Sequence, residues 1–205
     1  MSGSWHVFTS GRAESEQPTP EEQYIRPSWV GPPHAELGRA VDLASILGRS
    51  ERGVVALSYA IAYSNGVDLR LLLRATGLSR REAAGFFHEQ HMARFEPDED
   101  PPASFLRFGI ELPDGRRVSN LENPHLRPHA YEDEPDGPTL TTHGGSGGQS
   151  GPTAGETHPA YWLWPLPGEG TMRISCEWPI AGIPFTTVEL ETASLREAAA
   201  RTVTL

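Results

Sequence analysis

Tyr161-Trp-Leu-Trp-Pro-Leu-Pro-Gly-Glu-Gly-Thr-Met-Arg-Ile-Ser-Cys-Glu-Trp-Pro179 holds three of the chain's five tryptophans and reads as two strands around a Pro/Gly turn. Successive residues of a strand point to opposite faces, so Trp162 and Trp164 share one side, as do Met172, Ile174, Cys176 and Trp178. A turn over 165–170 would bring both sets to one apolar face and leave Tyr161, Arg173, Ser175 and Glu177 opposite. Large rings on alternating strands suit the space between two packed sheets.

The same alternation recurs upstream. Val55, Leu57, Tyr59, Ile61 and Tyr63 fall on odd positions, and so do Val67, Leu69, Leu71 and Leu73. A three-residue Ser64-Asn-Gly66 loop would pair Ile61 with Leu69, whereas a two-residue Asn65-Gly66 turn would set Ile61 against Arg70. The hydrophobic pattern favours the longer loop. A second hairpin runs through Leu106, Phe108, Ile110 and Leu112, turns at Pro113-Asp-Gly115, and returns with Arg116 and Val118. Val41 to Leu47 reads as an earlier strand, and Ile180 to Leu190 as a later one.

Composition agrees with many short strands. Twenty-one glycines and nineteen prolines in 205 residues exceed the usual shares of about 7% and 5%. The expected fold is all-β, a two-sheet antiparallel sandwich of Ig-like or jelly-roll-like type, with a helical or irregular insertion and a short C-terminal helix. The expected organisation is a disordered acidic arm over 1–23 and a single sandwich domain over 24–205. Within that domain, 24–40 reads as an extended Pro-rich strap that Trp29 pins down, 77–104 as the helical or loop insertion, and 120–158 as an irregular Gly/Pro-rich loop. Ser79 with Glu82, and Ser194 with Glu197, have capping-box spacing at two helix starts.

Charge narrows the partners. The formal net charge is −10, and every one of the seventeen basic residues is Arg. An acidic chain is a poor match for nucleic acid or an anionic membrane, and without Lys no Schiff base or phosphate-loop lysine exists. A lone Cys176 on an apolar strand face permits no internal disulfide and no cysteine-based zinc cluster. With no signal-like N-terminus and no long apolar run, a cytoplasmic setting is expected.

Candidate chemistry is sparse. His88 and His91 lie three residues apart and His125 and His129 four apart, with His143 and His158 downstream. A zinc hydrolase would take three such ligands, yet the His-Glu-x-x-His spacing is missed by one residue. Acidic runs at 96–100 and 132–136 lack the calcium-loop pattern. The glycine run from Gly144 lacks phosphate-loop spacing and reads as flexible linker. No nucleophile elbow is present, and no cofactor is expected.

Arg26-Pro-Ser-Trp29 with Gly31-Pro-Pro33, Leu106-Arg-Phe-Gly109 with Asp114-Gly-Arg116, the run from Gly144, Tyr161-Trp-Leu-Trp-Pro-Leu-Pro167 and Cys176-Glu-Trp-Pro179 together resemble a group of actinobacterial proteins of unassigned activity. The resemblance spans residues 24–205. It implies the same order of arm and hairpins and carries no catalytic residues.

The functional expectation is therefore a non-catalytic sandwich that binds a protein partner or itself, with Trp29, Tyr161 and Arg173 as interaction candidates. The alternatives are the zinc hydrolase built on loop histidines, and a carbohydrate-binding module stacking sugars on Tyr161 or Trp162.

Overall fold

The computed structural model describes residues 26–83, 100–122 and 133–205. It is an antiparallel β-sandwich. One sheet has five strands: β2 (Arg39–Arg49), β3 (Gly53–Ala62), β4 (Val67–Thr76), β8 (Ala154–Trp164) and β7 (Thr139–Ser150), in that order. The facing sheet has four: β10 (Ile183–Glu191), β9 (Thr171–Trp178), β5 (Arg107–Glu111) and β6 (Arg117–Ser119). A two-residue pair, β1 (Glu36–Leu37) with β11 (Val203–Thr204), ties the end of the chain to the strap, and a C-terminal helix α1 spans Ala193–Ala199. Among the described residues no helix is long and apolar enough to cross a membrane.

The core lies between the large and small sheets. From the large sheet come Val55, Leu57, Val67, Leu69, Leu71, Leu73, Tyr161 and Leu163; from the small sheet come Phe108, Ile110, Val118, Met172, Ile174, Cys176 and Trp178. The sheets close most tightly where β2 meets β10: Thr186 Oγ1 donates to the Leu47 carbonyl at 2.8 Å. A Cβ on Gly48 would stand 2.6 Å from Ile183 Cγ2, so that approach needs a glycine.

Several expectations are corrected. The Trp segment is not a hairpin: β8 belongs to the large sheet and β9 to the small one. The chain crosses between sheets after Trp164, through a cis peptide to Pro165. Parity does not carry across such a crossover, so Tyr161 and Leu163 face the core while Trp162 faces the other way. Trp162 is nonetheless fully buried, because the strap covers it. The β3–β4 hairpin is also one residue out of the expected register, with Ala62 opposite Val67 and Ile61 opposite Asp68. A bulge between Leu57 and Tyr59 then reverses the parity of β3, burying Ala60 and Ala62 and leaving Tyr59 exposed.

The 120–158 loop is overturned in large part, since β7 occupies Thr139–Ser150 and β8 begins at Ala154. Backbone pairing needs no side chains, and β7 follows β8 through Gly145 opposite Pro159 and Gln149 opposite Glu156, with irregularities between. Within 24–40, residues 36–37 and 39–40 are already strand. The 113–115 turn forms as expected, with Gly115 at φ 84° and the Leu112 N–H donating to Arg116 O at 2.8 Å. The first capping box is present: Ser79 N–H donates to Glu82 Oε2 at 2.6 Å, and Glu82 N–H to Ser79 Oγ at 3.2 Å. The second is not. Helix α1 starts from Thr192, whose hydroxyl instead donates to Gly168 O and Gly170 O. The acidic arm, 1–23, lies outside the described residues.

Candidate binding face

Beyond an exposed pair at one end, Thr171 opposite Glu191, the outward residues of the small sheet include three rows that cross its strands. Register places Arg117, Glu111, Arg173 and Glu189 side by side, from β6 through β5 and β9 to β10. The next row inward is Ser119, Gly109, Ser175 and Thr187. The third holds Arg107 opposite Glu177. After β6 the chain turns, with Glu122 N–H donating to Ser119 O at 3.3 Å, and Leu121 in that turn borders the same depression as Arg107 and Glu177. Phe185, in the irregular stretch between Ile183 and Thr186, borders that depression from the β10 side.

The outer rows are ion-pair ladders. Arg117 Nε meets Glu111 Oε2 at 2.6 Å, Arg173 meets Glu111 at 2.9 Å and Glu189 at 3.2 Å, and Arg107 meets Glu177 at 2.6 Å. The hydrogen bond from Arg117, with help from Arg173, holds the Glu111 carboxyl below the usual carboxylate range. Bonds to Glu189 and Glu111 raise the Arg173 guanidinium further. Each ladder contains as many Arg as Glu, so the two ladders are neutral on a chain of net charge −10, and Glu191 and Glu122 stand at their margins.

Between the ladders the floor is low. Ser175 and Thr187 hydroxyls bond each other at 2.9 Å, and Gly109 has no side chain at all. A trough of about 390 Å³ lies over Gly109, Ser119, Ser175 and Thr187, and a second depression of about 250 Å³ adjoins it toward Leu121. Phe185 borders both and is 69% exposed; Leu121 is 40% exposed. A Cβ on Gly109 would find Val118 O at 3.4 Å, an ordinary contact, so packing does not require glycine there. A strand-interior glycine weakens a sheet and marks a place where something approaches closely.

The other interaction candidates lie elsewhere. Tyr161 is buried in the core at 1% exposure, accepts a hydrogen bond from Asn120 Nδ2 at 3.2 Å, and has its phenol pushed up to about 12 by burial. It therefore offers no surface for a partner or a sugar, and Trp162, equally buried, offers none either. Trp29 lies half-buried in the strap, edge-on to Trp164 with ring centroids 6.2 Å apart, and pins the strap to the large sheet. Arg173 alone stands on an open face.

His88, His91, His125 and His129 lie outside the described residues. His143 on β7 reaches across Ala160 to Asp68, with Nε2 3.1 Å from Oδ2; Arg70 holds the same carboxylate from the other side. His158 meets Glu156 at 3.2 Å. Among the described residues no group of three or more His, Cys, Asp or Glu stands together as metal ligands would. Burial raises the Cys176 thiol, and its sulfur lies 3.3 Å from the Thr186 hydroxyl, the opposite of an activated nucleophile.

A direct signal for the trough was present in the sequence. Arg107-Phe-Gly-Ile-Glu111 and Arg173-Ile-Ser-Cys-Glu177 share one pattern: a small residue between an outward Arg and an outward Glu. Run antiparallel, the two segments set each Arg against the other's Glu.

Comparison with known proteins gives no match: no family model, no curated protein and no solved structure aligns with the chain.

Proposed function

We propose that the protein is a non-catalytic binding or assembly module that docks a protein partner on the outer face of its small sheet. One observation carries this reading: a neutral trough floored by Ser119, Gly109, Ser175 and Thr187, bordered by exposed Phe185, on an otherwise acidic chain. Exposed aromatic and aliphatic anchors beside fixed, alternating charges are what protein surfaces use for contact and orientation. Nucleic acid needs a basic face, and this one is balanced. A cytoplasmic setting accords with a single, deeply buried thiol.

Selection of displayed peptides against the full chain, with counter-selection on Gly109→Arg, tests the reading. Peptides that bind the wild type and lose at least about tenfold in affinity to Gly109→Arg support it. Peptides indifferent to that substitution, or no enrichment at all, would contradict it.

A further inference from the structure

We infer that the partner seated on this face is a second copy of the same chain, related by a two-fold axis parallel to the strands and passing between β5 and β9. The inference rests on the docking role proposed above.

Such an axis lays each row against itself in reversed order, because a two-fold contact is made by the same patch on both copies. The row Arg117, Glu111, Arg173, Glu189 alternates in sign and has an even number of members. Reversed, it meets itself with every charge opposed: Arg117 faces the mate's Glu189, and Glu111 faces the mate's Arg173. The pair Arg107 and Glu177, flanked by Leu121 in the turn after β6 and by Phe185 on β10, behaves the same way. Arg107 then faces the mate's Glu177, and the exposed Phe185 ring comes to lie on the mate's exposed Leu121. The small row, Ser119, Gly109, Ser175 and Thr187, places Gly109 opposite the mate's Ser175 next to the axis, where the two backbones come nearest.

An arbitrary charged sheet face does not have this property. An odd row, a run of like charges, or apolar residues at only one end would each clash under the same operation. The neutrality of the two ladders matters for the same reason. Two copies that each carry a net charge of −10 repel at long range, and contact through the neutral ladders adds nothing to that repulsion.

Four strands about 4.8 Å apart and rows about 13 Å deep cover roughly 200 Å² per copy before flanking loops add to it. A standard interface buries about 800 Å² per partner, so the dimer is a weak one.

Sedimentation equilibrium of the full chain in about 0.15 M salt, with two charge variants, tests this. Arg173→Glu sets two Glu pairs across the axis, and Glu111→Arg sets two Arg pairs, so each variant alone should dimerise at least about tenfold more weakly than wild type. Mixed in equal amounts, the two variants oppose every charge again and should form heterodimers at close to wild-type strength. That recovery also shows that both variants are folded. Phe185→Ser, at an exposed site, should weaken the wild-type dimer at least about fivefold. A wild type that stays monomeric to about 1 mM, variants that dimerise like wild type, a mixture that does not recover, or an unchanged Phe185→Ser would each overturn the two-fold pairing. Peptides that still depend on Gly109 in those circumstances would leave the docking role standing with another protein as partner.

Discussion

Trp162 on β8 donates its indole N–H to the main-chain oxygen of Ser28 at 2.9 Å, across the outer face of the large sheet. Thr139 makes the parallel bond one strand away, its hydroxyl donating to Trp29 O at 3.0 Å. Two side-chain donors thus hold two consecutive strap carbonyls. Trp162→Phe loses one donor and leaves Ser28 O unsatisfied, so a cost of about 1–3 kcal/mol is expected. The loss should appear in denaturant unfolding together with faster amide exchange at Val30, whose N–H closes the turn onto Pro27. Unchanged stability and exchange would mean that the strap is held by other contacts.

Two glycines should respond oppositely to alanine. A Cβ on Gly66 would stand 2.4 Å from the Trp162 ring, so Gly66→Ala forces the ring or the turn to move, and a loss of about 1–3 kcal/mol is expected. At Gly109 a Cβ meets nothing closer than 3.4 Å, and Gly109→Ala should leave thermal stability unchanged or slightly raised. Equal destabilisation at both sites would show that Gly109 serves packing rather than the trough.

Tyr161 sets an alkaline limit on stability. Its phenol is pushed from 10.0 up to about 12 by complete burial. Because the folded value exceeds the unfolded one, its contribution is fully present below pH 10 and is lost as pH rises toward 12. Two pKa units correspond to roughly 3 kcal/mol. Tyr63 and Cys176, also raised by burial, add in the same direction. Denaturant midpoints taken from pH 9 to 12 should therefore fall for wild type and fall less steeply for Tyr161→Phe. Parallel slopes would remove Tyr161 as the cause.

Asp68 is 1% exposed, bonded by Arg70 and approached by His143. Replacing it with Ala leaves two cationic or polar partners facing a buried gap, and a loss of about 3–5 kcal/mol is expected in denaturant unfolding. Glu189→Ala, exposed at the end of a ladder, should cost less than about 1 kcal/mol. Comparable losses at the two sites would show that Asp68 is better solvated than its burial implies.

The strands were legible in the sequence because alternation is local: β5, β6 and β9 lie where their odd and even residues put them, and Pro113-Asp-Gly115 forms the turn its residues demand. What failed was non-local. Nothing near Trp164 says that the chain changes sheets there, so the sides of Tyr161 and Trp162 were exchanged, and an interaction candidate proved to be core. The bulge after Leu57 shifts β3 by one residue without any Gly or Pro to announce it. Thr139–Thr142 reads as a short strand, but the rest of β7 is not legible, because its pairing uses backbone atoms, which a Gly-rich stretch supplies as well as any other. Arg173 was identified, but its neighbours were not. Gly109 and Ser175 acquire meaning only when register brings the two Arg-x-small-x-Glu segments side by side.

The most direct measurement is an isotope-filtered nuclear Overhauser experiment on an equal mixture of labelled and unlabelled chain, at a concentration where sedimentation shows the dimer. Intermolecular peaks between the Phe185 ring and the Leu121 methyls are the expected result, since the isotope filter admits only contacts between copies and the two-fold operation brings these residues together across them. Intermolecular peaks confined to other exposed apolar residues, such as Ile46 on the β2 edge, would contradict the small sheet as the working face.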